Sequence, residues 1–263
     1  MNTTDTTDTT ADTANPAAAT TAAADPERPR KVAVVTGATG GMGVEIVADL
    51  LRDHDVWAIG RDAAGLDRLG ALAHVTAVQA DLVTELLDEP TGALDEVLGL
   101  ERVDILVHAA AVARRRTVEA ASAEEWRTHL DLNVVVPAQL TRRLLPALRQ
   151  AGGDVVFINS GAGDGAFPGN IVYAASKHAL RALADGLRKE EAPAGVRVST
   201  VAPGPTDTPM LETLVAQEGG TYTVEHYIDP DEVARAVRTA VDAGPSTQIT
   251  EIAVRPRVEL TDR

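Results

Sequence analysis

The sequence contains no cysteine, which excludes disulfides, thiolate catalysis and cysteine-bound metals together. Aromatic residues make up only 3% of it, so its core has to be aliphatic, built on Val, Leu, Ile and Ala. No run of about 18 apolar residues occurs, so no segment is expected to span a membrane. The N-terminus lacks the basic start and apolar stretch of a signal peptide, and a cytoplasmic location is the expectation. Positive charge is also scarce: 24 Lys and Arg stand against 39 Asp and Glu, a formal net charge of −15. A chain this acidic repels phosphate backbones and anionic lipid, which argues against nucleic-acid and membrane partners. A local basic pocket for one small anion is still allowed. The 6 histidines share no metal-ligand spacing, and no metal is expected.

What is present, 263 residues with 44% hydrophobic, is enough for one large domain with a sizeable core. Residues 1–29 stand apart, rich in Thr, Ala and Asp and without Val, Leu or Ile. Such a stretch cannot bury enough apolar surface to offset its ordering entropy, and it reads as a disordered tail. The pattern changes at Lys31. KVAVVT reads as a buried strand, followed by a Gly-rich turn and by Val44, Ile46, Val47, Leu50 and Leu51 at helical spacing. DVWAIG, AHVTAVQA and RVDILVHAA are the next strands. Ser122 with Glu125 forms a capping box that opens one long helix through about Gln150. GDVVFINS, a helix over 171–192, VRVSTVAP, a helix over 230–243 and QITEIAV complete the series. Strands alternating with helices predict a doubly wound α/β domain over 30–263, a seven-stranded parallel sheet with helices on both faces. The least regular stretch is 203–229, of which 205–228 reads as a lid over a substrate.

The first strand ends in TGATGGMG, Thr36 to Gly43. Glycines at 37, 41 and 43 let the backbone turn tightly, approach a pyrophosphate and pack helix on strand, while the helix start favours negative charge. Thr39 and Met42 belong to the same loop and join the cofactor-binding set, although the Met42 side chain reads mainly as packing. Which dinucleotide binds depends on the end of the second strand, which reads Ile59-Gly60-Arg61-Asp62. An acid there would accept from the ribose hydroxyls of NAD, and an arginine would pair with the 2′-phosphate of NADP. Gly60 occupies the usual acidic position and Arg61 follows it, so NADP(H) is favoured. In the alternative, Asp62 is the ribose ligand, Arg61 a solvated loop charge and NAD(H) the cofactor.

Tyr173-Ala-Ala-Ser-Lys177 places a phenol and an ammonium one helical turn apart on one face. A free tyrosine titrates near pH 10, and bringing it to about 7 requires roughly 4 kcal/mol of preferential phenolate stabilisation. The lysine and an oxidised nicotinamide are the sources of positive charge. Ser160, at the end of the fifth strand, lies where ligands sit in open α/β sheets. Arg114-Arg115-Arg116 after the fourth strand reads as a solvated basic loop, with reception of an acidic substrate as the alternative.

From Lys31 to Val254, roughly 85% of the chain, the sequence resembles the short-chain dehydrogenase/reductase family. The matching residues are Thr36-Gly37-x-x-x-Gly41-x-Gly43, Asp81, Asn133 in LNVVVP, Ser160, Tyr173, Lys177 and Pro203-Gly204, all in family order. The resemblance implies a Rossmann-type fold and an NADP-dependent oxidoreductase that interconverts a small-molecule carbonyl and a secondary alcohol. It implies Tyr173 as general acid and base, Ser160 positioning the carbonyl oxygen, Lys177 on the nicotinamide ribose, and Asn133 holding a water that links the lysine to solvent. Asp81 and the neighbouring Leu82 would meet the adenine. Ala109, Pro203, Gly204, Thr206 and Thr208 would border the nicotinamide and pyrophosphate. His108-Ala109-Ala110-Ala111 stands where the family commonly has Asn-Asn-Ala-Gly. The ending EIAVRPR resembles a subgroup acting on small hydroxy acids. A homo-oligomer, tetramer or dimer, is expected from the family. The rival readings are a catalytically silent dinucleotide-binding sensor or scaffold, and a reductase of 3-oxoacyl chains on a carrier protein.

Overall fold

A computed structural model of the protein describes residues 30–258. The tail expected at 1–29 lies outside the described residues. The first apolar run forms β1 (Lys31–Thr36), and α1 (Gly41–Leu50), β2 (His54–Gly60), α2 (Ala63–Gly70) and β3 (Val75–Gln79) follow it. Next come α3 (Leu82–Leu87), α4 (Asp95–Leu98), β4 (Ile105–His108) and α5 (Ala123–Leu130). The chain continues through α6 (Val136–Ala151), β5 (Asp154–Ile158), α7 (Ile171–Glu191) and β6 (Arg197–Pro203), then α8 (Pro209–Gln217), α9 (Pro230–Val241) and β7 (Glu251–Val254). The seven strands form one sheet in the order β3-β2-β1-β4-β5-β6-β7, every pair parallel. This is the doubly wound, Rossmann-type α/β architecture that the strand and helix alternation predicts.

Alternation along each strand divides the core between the two faces. Val34 of β1 packs in the layer with Leu140, Leu144 and Leu148 of α6 and Leu180 of α7. Its neighbours Ala33 and Val35 pack on the other side with Ile46 and Leu50 of α1 and Val233 and Val237 of α9. Both faces of the sheet are covered, which is why its inner strands read as unbroken apolar runs. Among the described residues, no helix is long and apolar enough to cross a membrane.

Two local expectations change. The Ser122–Glu125 capping box is present, with both reciprocal hydrogen bonds, but the long helix it opens is not continuous. A π-helical turn, Asp131–Val135, separates α5 from α6. Pro137 supplies the physical reason: it has no N–H to give to the Asn133 carbonyl four residues back, so regular α-helical bonding fails there. The irregular stretch after β6 also contains α8, whose residues are all at least partly exposed. A helix that buries no full face leaves little periodic signal.

Candidate active site

Because the sheet is parallel, the carboxyl ends of β1, β4, β5, β6 and β7 emerge at one edge, and the expected residues gather there. At the end of β1, the Thr36 hydroxyl accepts from the Ala109 and Ala110 N–H groups at 3.2 and 3.3 Å, tying β1 to the loop after β4. Gly37 has φ +67°, and a Cβ there would meet the Ala110 backbone at 2.7 Å. A Cβ on Gly43 would strike the Gly37 carbonyl oxygen. The loop is therefore held against two backbones that leave no room for side chains. Gly40 precedes α1 without a side-chain cap, and the first turn of α1 contains no acid. The free N–H groups and the positive end of the helix dipole are left for a bound anion.

A cavity of about 280 Å³ runs from this loop past Gly60, Arg61, Asp81, Leu82 and Ala109. Its small-residue wall and uncapped helix start fit a dinucleotide. Arg61 is exposed and pairs with Asp81 at 3.4 Å. Asp81 caps α3 by accepting from the Val83 and Thr84 N–H groups. The Asp62 carboxylate accepts from the Gly65 N–H at 2.9 Å as the N-cap of α2. Both residues that follow Gly60, Arg61 and Asp62, line the cavity.

Ser160, Tyr173 and Lys177 come together beyond the end of β5. The Ser160 hydroxyl accepts from the Ala162 N–H at 3.1 Å and lines the same cavity as the Tyr173 side chain. Lys177 is only 2% exposed, and its ammonium donates to the Ile158 carbonyl at 2.9 Å. It lies 5.7 Å from the centre of the Tyr173 ring. Burial lowers the Lys177 ammonium to about 7. Burial likewise raises the Tyr173 phenol above its ordinary value, with the neighbouring Ser160 hydroxyl pulling the other way. Both shifts have one cause, the cost of charge away from water.

Asn133 sits in the π-helical turn and is buried. Its side-chain oxygen accepts from the Val112 N–H at 2.9 Å, and its amide donates to the Val112 carbonyl at 3.0 Å and to Ser176 Oγ at 2.9 Å. Ser176 in turn donates to the Tyr173 carbonyl at 2.7 Å. One amide thus couples the loop after β4 to the helical turn that carries the tyrosine. His108 is buried, stacks on Phe157 at 4.9 Å and shares a 2.8 Å hydrogen bond with Thr141. Burial takes it down to about 3, so it is a neutral core residue.

A second cavity, about 460 Å³, is lined by Ser160, Tyr173, Met42, Pro203, Gly204, Thr206 and Thr208. Met42 also packs against the core beneath α1, which agrees with its reading as a packing residue. The Thr206 hydroxyl donates to the Gly204 carbonyl at 3.0 Å. Thr208 caps α8 and sets its methyl against Gly41, where a Cβ would lie 2.7 Å away. Tyr222 donates to Asp207 Oδ1 at 2.6 Å, anchoring the far part of the 205–228 segment to its start. Met210 borders both cavities.

The sequence reading missed several residues of this site. Asn159, buried and facing the cavity, has a side-chain oxygen without a hydrogen-bond partner among the described residues. Phe167 and Leu211 line the cavity, as does Arg255, which follows β7. For Arg255 the available signal was its place immediately after a strand, at the ligand-binding edge.

A family model for short chain dehydrogenases matches residues 31–219. An uncharacterized oxidoreductase of Staphylococcus saprophyticus is 29% identical over 234 residues, covering 84% of this chain and 94% of its own. A crystal structure from Corynebacterium glutamicum, described as a short-chain dehydrogenase/reductase, is 50% identical with a TM-score of 0.69, covering 86% of this chain and all of that one. A Beutenbergia cavernae structure, described as an NAD(P) dependent gluconate 5-dehydrogenase with NADP bound at low occupancy, is 30% identical with a TM-score of 0.76. It covers 86% of this chain and 95% of that one.

Proposed function

The chain belongs to the short-chain dehydrogenase/reductase family of oxidoreductases, and from that premise we propose that it interconverts a carbonyl compound and a secondary alcohol with NADP(H). The observation that carries this reading is the meeting of Ser160 and Tyr173 on one cavity, with Lys177 buried beside the tyrosine ring, next to a glycine loop with an uncapped helix start. When bound, the dinucleotide supplies or accepts a hydride at nicotinamide C4.

The protein's own residues orient the substrate and manage the proton. Ser160 donates a hydrogen bond to the substrate oxygen. In reduction, Tyr173 gives its proton to that oxygen; in oxidation it takes the alcohol proton. The raised phenol keeps Tyr173 protonated in the free chain, as an acid in waiting. As a base it needs nearby positive charge, which Lys177 and an oxidised nicotinamide provide. Lys177 also reaches the nicotinamide ribose, held in place by the Ile158 carbonyl. The Asn133 side chain is occupied by Val112 and Ser176. The main-chain carbonyl that Pro137 leaves without its helical donor is therefore the group that holds the connecting water.

Arg61 meets the 2′-phosphate, with Asp81 as its partner until the phosphate arrives. Asp81 and Leu82 border the adenine, while Gly37, Thr39, Gly41, Gly43 and Ala109 form the cradle. Pro203, Gly204, Thr206 and Thr208 close it at the nicotinamide end, and the 205–228 segment is the lid. A homo-oligomeric assembly, tetramer or dimer, belongs to the same reading. The test is a panel of aldehydes and ketones followed by nicotinamide absorbance with NADPH and with NADH. Turnover with NADPH preferred is expected; tight NADPH binding without any turnover would instead mark a silent binding module.

A further inference from the structure

The run Arg114-Arg115-Arg116 has no part in the chemistry proposed above, yet it stands between β4 and α5 at the wall of the Ser160–Tyr173 cavity, which Arg114 and Arg115 line. The run is held firmly to the body of the protein. The Arg114 N–H donates to the buried His129 ring at 3.2 Å. The Arg116 side chain pairs with Glu125 at 2.8 Å, and its backbone bridges to Asn170 ahead of α7. Arg115, between two fixed neighbours, pairs with Glu218 at 3.0 Å. Glu218 is the C-cap of α8. The ion pair therefore joins the arginine wall to the far end of the helix in the 205–228 segment.

This helix has reason to need such a tie. None of its residues is fully buried, so little apolar packing holds it to the core. Met210, Leu211 and Leu214 on it line the cavity, which makes α8 part of the cavity's roof. The base of the segment is secured by its own backbone: the Asp207 N–H donates to the Ile228 carbonyl at 2.8 Å, and the Ile228 N–H to the Pro205 carbonyl at 2.9 Å. Behind Glu218 come Gly219, with φ +68°, and Gly220, a pair whose backbone freedom suits a hinge. Charge completes the picture. Residues 205–228 carry Asp207, Glu212, Glu218 and Glu225 and neither Lys nor Arg. The last turn of α8 has no basic residue, so Glu218 adds its charge to the negative end of the helix dipole. In a chain of net charge −15, the arginine run supplies the opposite sign where this acidic end lands.

We propose that Arg115 and Glu218 form an electrostatic latch that holds α8 down over the cavity, and that its release lets the helix swing on its glycine end to admit and discharge ligands. This rests on the reading of 205–228 as a lid and adds the contact that keeps the lid shut. The two side chains are 42% and 46% exposed, so the latch is weak enough to open repeatedly and is loosened by salt. An exposed pair of this kind shifts the balance of closed over open by about 1.4- to 5-fold.

The test is chymotrypsin digestion of the full-length protein without cofactor or substrate, with cleavage after Leu211 and Leu214 followed by mass spectrometry. Such cleavage tracks the population of the open form. It needs neither turnover nor a bound dinucleotide, so its outcome is separate from that of the oxidoreductase reading. Arg115→Gln is expected to speed the cleavage by about 1.4- to 5-fold at low salt, and to have no effect when Glu218→Gln is already present. Raising the salt to about 0.5 M should bring the ratio of Arg115→Gln to wild type toward one. Arg115→Glu should open the lid further, and the exchanged pair, Arg115→Glu with Glu218→Arg, should return toward the wild-type rate. Cleavage elsewhere in the chain is the internal reference that separates a generally loosened variant from one whose lid alone opens. Arg115→Gln cleaved at the wild-type rate, an equal acceleration with and without Glu218, or an exchanged pair as open as Arg115→Glu would each overturn the latch.

Discussion

Lys177 is charged in water and buried in the protein, and stability should record the conflict. The unfolded chain keeps the lysine proton up to about pH 10.5, whereas burial brings the folded value to about 7. Between these limits unfolding takes up a proton, so raising the pH favours the folded state. From pH 7 to pH 9, the linkage relation applied to these two values gives about 2 kcal/mol of added stability from this one group. Lys177→Met fills similar volume and does not titrate. It leaves the Ile158 carbonyl without the donor seen at 2.9 Å, a cost of about 1 kcal/mol that does not vary with pH. Urea unfolding of the cofactor-free protein at pH 7 and 9, for wild type and Lys177→Met, isolates the lysine because all other groups cancel in the difference. The wild type should gain about 2 kcal/mol relative to the variant over that interval. A difference that stays flat, or that moves the other way, would refute the claim that burial weakens the lysine's hold on its proton.

Three further perturbations address the fold and the cofactor cradle. Arg61→Ala should weaken NADPH about tenfold or more and leave NADH nearly unaffected, measured by nicotinamide fluorescence titration; equal losses would remove Arg61 from 2′-phosphate recognition. Gly43→Ala puts a methyl onto the Gly37 carbonyl oxygen and should cost about 1–3 kcal/mol of stability along with cofactor affinity. Normal melting and normal NADPH binding in that variant would contradict the packing described for the loop. Phe157→Ala removes a fully buried ring stacked on His108 and should cost about 3–5 kcal/mol in urea unfolding, whereas a loss below about 1 kcal/mol would mean that the cavity collapses freely.

The parts of the molecule legible in sequence are those encoded by local chemistry. The inner strands announce themselves because both sheet faces are covered, so β1, β4 and β5 are continuous apolar runs. The Ser122–Glu125 capping box is a pair of side chains three residues apart, and it is present as read. The glycine loop is legible because close backbone approach admits no side chain at Gly37 or Gly43. The meeting of Ser160, Tyr173 and Lys177 follows from one strand end and one helical turn. Longer-range features were hidden. The π-helical turn has nearly the periodicity of the helix it interrupts, and its cause is the Pro137–Asn133 relation rather than a visible break. Arg255 reaches the Ser160 turn only because β7 is added at the sheet edge, parallel to β6. The Asn133 side chain bridges Val112 to Ser176, a pairing that depends on tertiary packing and leaves no local pattern in the sequence.

The account stands or falls on the proton that Tyr173 handles. Tyr173→Phe keeps the ring that packs beside Lys177 and removes only the hydroxyl, in the cavity that Ser160 also lines. Single-turnover hydride transfer, with NADPH saturating and a carbonyl substrate drawn from the panel, isolates the chemical step from binding and release. The variant should bind NADPH as the wild type does and transfer hydride about 10²–10⁴-fold more slowly, the usual contribution of a positioned acid. A transfer rate equal to wild type would show that another group moves the proton and that the mechanism assigned to this site is wrong.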